Sequence, residues 1–269
     1  MVRIDMNTSA AIAIDLEERF PSLPRAPVVE AVIDMRARAS LDLQEPSVEA
    51  RFTGIAAGYR FERATHEFEA KFSLQADRSP EAQVAGRWKG LRYVADDGKR
   101  IAQFNRDGFV LSRLAPYTNW NALHDEAIEL WRAYVEIARP TELLRIGVRY
   151  INRILLPPGD AQLEDYLDPS PTTPRGLDLP FQSFVHQDRF AVPGHPYGVN
   201  LIRTIEHRPQ QNVASSAIIL DIDAFTVQGI DLVEDEFVKH LAHLRWLKNK
   251  VLFESIGRAA KAQFTEGVP

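Results

Sequence analysis

Residues 143–155, with the sequence LLRIGVRYINRIL, alternate between apolar and polar side chains more strictly than the rest of the chain. A period of two is typical of a β-strand that buries one face and leaves the other in contact with solvent. One face of this predicted strand carries Leu144, Ile146, Val148, Tyr150, Asn152 and Ile154, and the other carries Arg145, Gly147, Arg149, Ile151 and Arg153. The pattern favours an antiparallel sheet with one polar face.

An amphipathic helix is predicted immediately before this strand. The side chain of Asn119 is suited to cap its first turn, and apolar residues then recur at intervals of three and four. These residues are Leu123, Ala127, Leu130, Trp131, Tyr134 and Ala138. Because Pro140 cannot continue a helix, the helix is expected to end near Arg139.

The other elements are predicted from alternation, helical periodicity and turn residues. Strands are expected at 29–39, 65–76, 84–95, 99–106, 109–114, 181–192, 197–208 and 213–226, and helices at 46–59 and 233–264. Asp97-Gly98 and Asp107-Gly108 are the expected turns of two hairpins. Gly257 is expected to interrupt the last helix.

Residues 25–140 and 141–269 each begin with an alternating strand, continue through a helix and several strands, and end in a long helix. We interpret them as two α+β halves that follow an N-terminal lead-in at 1–24. The predicted fold class is α+β, with antiparallel sheets and long helices packed on one face. An internal duplication of a β-α-β-β-β-α unit would explain the repetition, in a helix-grip-like arrangement.

Composition excludes several classes of site. The chain has no cysteine, which rules out disulfides, thiolate chemistry and iron–sulfur clusters. A formal charge of −5 and a pI near 5.8 give no general attraction to nucleic acid or to anionic membranes. No apolar run approaches the roughly 20 residues that a membrane span requires, and acids interrupt the first apolar stretch at Asp5 and Asp15. We therefore expect a cytoplasmic protein without a membrane association.

Three arginines on one face of the alternating strand form the first candidate ligand site. Arg145, Arg149 and Arg153 are spaced about 13 Å apart along the strand, which would allow them to bind phosphate or carboxylate groups. The alternative interpretation is that they lie on the solvated face of an antiparallel sheet and pair with acids on neighbouring strands.

Asp221 and Asp223 form a candidate metal site in the segment SAIILDIDAF. Both project from the same face of a predicted strand, about 7 Å apart, and could share a divalent cation. The string LDIDAF is similar to the metal-binding strand of diguanylate cyclases, but the glycine-rich partner motif of that family is absent. The alternative interpretation is a pair of solvated acids at a strand edge, which could pair with the arginines of neighbouring strands. No serine-hydrolase elbow, phosphate loop or dinucleotide-binding motif occurs.

The chain contains the stretches PRAPVVEAV, FVLSRLAPYTNW and LRIGVRYINRI, the LDID strand and the late LRWLKNKVLFESI segment. Together they resemble a sporadically distributed family of uncharacterised bacterial proteins. The resemblance implies no activity, cofactor or catalytic residue. It does imply that Arg113, Tyr117, Arg149 and Asn152 matter to the fold or to a shared surface, so Arg113 and Tyr117 join the arginine row as candidate ligand-binding residues.

Three functions are compatible with these features. The first is a non-catalytic binding or regulatory module of an accessory or mobile locus, which holds a small ligand or a protein partner and requires no cofactor. The second is a metal-dependent enzyme on a phosphorylated or nucleotide substrate, with Asp221 and Asp223 as ligands. The third is a nucleic-acid-binding protein that uses the arginine row, which the acidic balance disfavours. A homodimer is compatible with each of them.

Overall fold

The computed structural model describes residues 10–39, 45–55, 58–73, 81–159, 161–174, 176, 179, 182–210 and 213–265. Within these residues the strands are β1 (Val28–Ala39), β2 (Tyr59–Ser73), β3 (Glu81–Ala95), β4 (Arg100–Asn105), β5 (Gly108–Leu114), β6 (Pro140–Leu155), β7 (Val185–Ala191), β8 (Tyr197–Gln210) and β9 (Val213–Thr226). The helices are α1 (Glu45–Ile55), α2 (Trp120–Ala138), α3 (Glu234–Ser255) and α4 (Arg258–Thr265), with a short 3-10 helix at Leu163–Asp165.

The nine strands form an antiparallel sheet in the order β2-β3-β4-β5-β1-β6-β9-β8-β7. Together with the helices it defines an α+β fold. No helix in the described part of the chain is both long and apolar enough to cross a lipid bilayer.

The chain divides into two compact units. The larger unit takes the described residues within Met1–Ile33, Leu114–Thr118 and Arg145–Pro269, and the smaller unit takes those within Asp34–Arg113 and Asn119–Leu144. The predicted halves at 25–140 and 141–269 follow the chain order, whereas each of these units is assembled from separate segments.

Aromatic packing organises the smaller unit. The ring of Phe52 stacks on Phe104 at a centroid distance of 4.1 Å, and Tyr93 and Phe109 contact Phe104 edge-on or tilted at 5.6 and 5.4 Å. Helix α2 adds the buried Tyr134. The side chain of Asn119 accepts a hydrogen bond from the amide of Ala122 at 2.9 Å, as the predicted cap requires.

Helix α2 ends as predicted, because Arg139 adopts a left-handed conformation (φ 45°) and Pro140 begins the next strand. The β4–β5 hairpin also turns at the predicted Asp107-Gly108. Gly108 has a φ of +141° and lies so close to the β1 backbone that a Cβ there would fall 2.0 Å from the carbonyl oxygen of Met35. Only glycine fits this position.

Helix α3 buries its apolar stripe in the larger unit, with Phe237, Leu241, Leu244, Leu247 and Leu252 among the buried residues. On β6 the buried residues include Ile146, Val148, Tyr150 and Ile154, and β9 contributes Ile218, Leu220, Ile222 and Ala224. Gly257 separates α3 from α4, as the sequence predicts, and its amide bonds to the carbonyl of Tyr166.

One position of the β6 pattern differs from the prediction. Leu144 was expected on the buried face, but it is 38% exposed, whereas Leu143 is fully buried. The buried positions therefore run Leu143, Ile146 and Val148, with two residues between the first pair. Burial alternates regularly only from Val148 onward, in the part of the strand that pairs with β9.

Candidate functional site

The three arginines of β6 lie on the polar face of the sheet in the larger unit. Arg145 and Arg149 contact acids on the neighbouring strand β9, and Arg153 contacts an acid on β8, the strand beyond it. Arg145 donates from Nη2 to both carboxylate oxygens of Asp223, at 2.9 and 2.8 Å. Arg153 donates from Nε to Glu206 at 2.8 Å. One aromatic ring of the same unit adds to these contacts, because the guanidinium carbons of Arg145 and Arg189 lie 4.9 and 5.3 Å from the ring centroid of Phe225.

Arg149 and Asp221 form a two-bond ion pair. Nε donates to Oδ1 at 2.8 Å and Nη2 donates to Oδ2 at 2.5 Å. The strand register places Ile151 opposite Asp221, so the arginine reaches the acid diagonally across the strands. The hydrogen bonds to Asp221 raise the pKa of Arg149 further, with Coulombic contributions from Asp221, Asp223 and Glu30.

These contacts limit what the arginine row can bind. The donors of Arg145 and Arg149 that face the sheet are directed at carboxylates, so an incoming phosphate would compete with two existing charge-assisted pairs. This is the arrangement that the alternative interpretation of the row predicts. It leaves Arg149 as the most accessible of the three, with 46% of its side chain exposed.

Asp221 and Asp223 share one face of β9, as the sequence predicts. Asp221 accepts two bonds from Arg149, and Asp223 accepts from Arg145 and, at 3.4 Å, from the side chain of Asn200. A divalent cation would have to displace these donors. Among the described residues no group of three or more histidine or acidic side chains has a geometry that could hold a metal ion.

The two remaining candidates, Arg113 and Tyr117, fall in different units. Arg113 lies on β5 of the smaller unit, directly opposite Arg100 on β4. Tyr117 belongs to the larger unit, where its hydroxyl lies 2.7 Å from that of Tyr150 and its ring meets the Tyr150 ring edge-on. Tyr117 is partly exposed and Tyr150 is buried.

Lys248 completes a buried cluster with these tyrosines. Its ammonium nitrogen lies 3.7 Å from the ring centroid of Tyr150 and donates to Oδ1 of Asn249 at 2.6 Å. Burial, with a smaller contribution from the charge of Arg245, lowers the pKa of Lys248 to about 7. Burial and the contact with Tyr117 raise the pKa of Tyr150 well above its usual value.

The helical spacing of α3 predicts that Lys248 is buried, although its side chain is charged. Positions 241, 244, 248 and 252 follow the three-and-four spacing of a buried helical stripe, and the structure buries all four. A pattern of apolar residues alone does not include Lys248. The apolar Val251 is only half-buried, whereas Leu252 is buried.

Asn152 is also part of the inner face of β6. Its Nδ2 donates to the carbonyl of Leu220 at 3.0 Å, and its Oδ1 has no hydrogen-bond partner in the described part of the protein. Tyr117, Tyr150, Asn152 and Lys248 come from three separate stretches of the chain. Within the larger unit, these stretches converge on β6 and helix α3.

Tyr197 bridges two histidines of α3. Its hydroxyl lies 2.7 Å from Nδ1 of His240 and 2.7 Å from Nδ1 of His243. A hydroxyl donates one hydrogen bond, so one ring nitrogen accepts and the other donates. Burial lowers the pKa of both histidines. The arrangement accounts for these residues as a structural link between β8 and α3.

A cavity of about 590 Å³ opens beside the β8–β9 hairpin in the larger unit. His207 lies at its wall, with Nδ1 2.9 Å from Oγ of Ser216 and Nε2 2.6 Å from the backbone carbonyl of Gln182. The sequence gives no motif for this pair, because a serine and a histidine nine residues apart become neighbours only through the strand register.

A scan against models of known protein families finds none that matches this chain, and no curated protein matches it.

Proposed function

We propose that this chain is a protein-binding module that associates with a second copy of itself through a β-ribbon in its smaller unit, using the ribbon's apolar face and its free outer edge. The ribbon consists of residues 66–73 of β2 and 81–88 of β3. The observation that carries the proposal is the exposure of two large apolar side chains on the ribbon, Phe68 at 73% and Val84 at 67%.

The ribbon extends past the rest of the smaller unit's strands. Its register pairs His66 with Trp88 and continues without interruption to Ser73 and Glu81, while β4 begins to pair with β3 only at Gly90. Among the described strands, residues 81–88 therefore pair with β2 alone. A two-stranded ribbon is marginal in water unless its apolar face is covered.

The two faces of the ribbon differ in chemistry. Phe68 and Val84 share one face with Trp88, and the ring of Phe68 lies over Gly86. Glu67 and Arg87 lie opposite each other on the other face and form an ion pair. These two charges compensate each other on their own face. The face that carries Phe68 and Val84 would therefore pack against an apolar surface of its partner. A second ribbon supplies that surface through a two-fold arrangement.

The outer edge of β2 supports the same partner. β2 is an edge strand of the sheet, and two irregularities in its register, at Phe61/Arg63 and Thr65/His66, precede the regular part. Register irregularities protect an edge from strand addition. The regular part, 66–73, coincides with the exposed Phe68, so this is the section of the edge on which a second strand can add.

The size of the ribbon sets the expected affinity. Eight residues at about 3.3 Å each, over a width of about 10 Å, cover roughly 260 Å² per copy. The total of about 500 Å² lies below the 1,200 Å² or so of standard complexes. We therefore expect weak self-association, in which the fraction of dimer increases with protein concentration.

Hydrogen–deuterium exchange at low and high protein concentration tests this proposal. Amides of residues 66–73 should exchange more slowly at high concentration, whereas β7, the opposite edge of the sheet, serves as the control and should not change. Equal exchange of 66–73 at both concentrations would overturn the proposal.

The order of elements supports an origin by duplication of a β-α-β-β-β-α unit. β1, α1, four strands and α2 are followed by β6, a 3-10 helix, three strands and α3. The first half has one strand more, and the 3-10 helix stands where α1 would be. The long helices α2 and α3, of 19 and 22 residues, suit the helix-grip-like arrangement.

A further inference from the structure

The β8–β9 hairpin carries a hydroxyl and an imidazole that face each other across the strands. His207 and Ser216 are direct partners in the register. Oγ of Ser216 lies 2.9 Å from Nδ1 of His207, and Nε2 of the same ring lies 2.6 Å from the carbonyl oxygen of Gln182.

The carbonyl of Gln182 determines the tautomer of His207. A carbonyl oxygen can only accept, so Nε2 carries the proton and donates it to Gln182. In the neutral ring Nδ1 then has a free lone pair, and the hydroxyl of Ser216 donates to it. The serine thus has a base within hydrogen-bond distance, and the base is oriented by a third group.

The pair opens onto the cavity of about 590 Å³, which is within the size range of small-molecule sites. Apolar residues form much of its wall, namely Leu156, Pro157, Pro158, Leu163, Pro171 and Ile205. Among the described residues of the lining, Glu164 is the acid, and Gln162 and Gln182 are the amides. The exposed wall is mixed and more polar than apolar, and its carboxylate disfavours an anionic ligand.

We propose that Ser216 is a nucleophile for acyl transfer and that His207 is its general base. Oγ forms a bond to the carbonyl carbon of an ester while its proton moves to Nδ1. The bond from that carbon to the leaving alcohol breaks, and the alkoxide takes the proton from Nδ1. Water then attacks the acyl-serine through the same base, which releases the carboxylic acid and restores Ser216.

The substrate class follows from the cavity. An uncharged carboxylic ester suits this mixed wall, and the amides of Gln162 and Gln182 are the donors available to the oxyanion. Such a reaction is independent of the ribbon, which belongs to the smaller unit. It would give the chain a chemical activity that its sequence motifs do not indicate.

Labelling with an alkyl fluorophosphonate tests the proposal, since the reagent modifies activated serines. We expect labelling of the full-length protein at Ser216, located by peptide mass spectrometry. Ser216→Ala should abolish it, and Ser183→Ala, which removes an exposed serine outside the cavity, should leave it unchanged.

A second variant separates chemistry from folding. His207→Asn keeps a hydrogen-bond acceptor for the hydroxyl but cannot take up its proton, so the labelling rate should fall about a hundredfold, while the thermal transition stays close to that of the wild type. The same variant should lose hydrolysis of p-nitrophenyl butanoate. Labelling of Ser216 at the rate of Ser183, or a rate unaffected by His207→Asn, would overturn the proposal.

Discussion

The ammonium nitrogen of Lys248 lies 3.7 Å from the ring centroid of Tyr150, at a position where the lysine is only 7% exposed. Two effects oppose each other there. The ring attracts the cation, while the loss of hydration favours the neutral amine. The second effect is larger, because the pKa of Lys248 falls from 10.5 to about 7.

This shift predicts that stability increases with pH in the alkaline range. Between pH 7 and pH 10 the unfolded chain holds a proton on Lys248 that the folded chain has released, so the free energy of unfolding should rise with pH by up to a few kcal/mol. The raised pKa of Tyr150 keeps that phenol neutral in the folded chain throughout this window. Urea unfolding between pH 6.5 and 9.5 measures the slope.

Lys248→Met should remove most of this slope and stabilise the protein at pH 7, since no cation is then buried. Lys239→Met is the matched control, because Lys239 is exposed on the same helix. The interpretation of Lys248 is wrong if the slope persists in the first variant, or if both variants change it equally.

The Arg149–Asp221 pair predicts an asymmetry between two single substitutions. Only 10% of the Asp221 side chain is exposed, compared with 46% for Arg149. Arg149→Met leaves a nearly buried carboxylate without its partner and should cost about 3 kcal/mol. Asp221→Asn leaves an arginine that water and Asp223 can satisfy, and should cost about 1 kcal/mol. Denaturant unfolding of both variants checks the order, and a larger loss for Asp221→Asn would contradict it.

Two glycines in the smaller unit test the packing around β1. A Cβ at Gly108 would fall 2.0 Å from the Met35 carbonyl, so Gly108→Ala should destabilise the protein by about 4 kcal/mol or more. Gly98 has a φ of +64° and open space around it, so Gly98→Ala should cost only about 1 kcal/mol of backbone strain. Thermal unfolding of the two variants distinguishes a steric clash from backbone strain. Equal losses of stability in both variants would show that the backbone of β1 moves to accommodate the added methyl group.

Local signals were sufficient for most elements of this fold. The cap at Asn119, the proline after α2 and the break at Gly257 act within a few residues, so their effects could be predicted. The exposure of Leu144 could not be predicted, because which face of β6 is buried depends on the strand that each part of β6 pairs with. Likewise β2 begins at Tyr59 rather than near 65, since the pairing with β3 extends a strand whose alternation is broken by two irregularities.

The candidate sites were harder to predict, for a related reason. Alternation placed Arg145, Arg149 and Arg153 on the polar face, and it placed Asp221 and Asp223 together on one face of β9. The alternation alone could not establish that the arginines of β6 contact the aspartates of β9, because the order of the strands depends on the whole sheet. His207 and Ser216 are likewise paired by register alone, and Lys248 was hidden in an apolar stripe.

The most direct measurement of the proposed self-association is sedimentation velocity over a range of protein concentrations. The average mass of the wild type should rise from 30.4 kDa toward twice that value as concentration increases. Phe68→Ser should remain monomeric, and Glu67→Gln, on the opposite face of the ribbon, should associate like the wild type. A wild type that stays monomeric throughout, or a Phe68→Ser variant that still dimerises, would contradict the account.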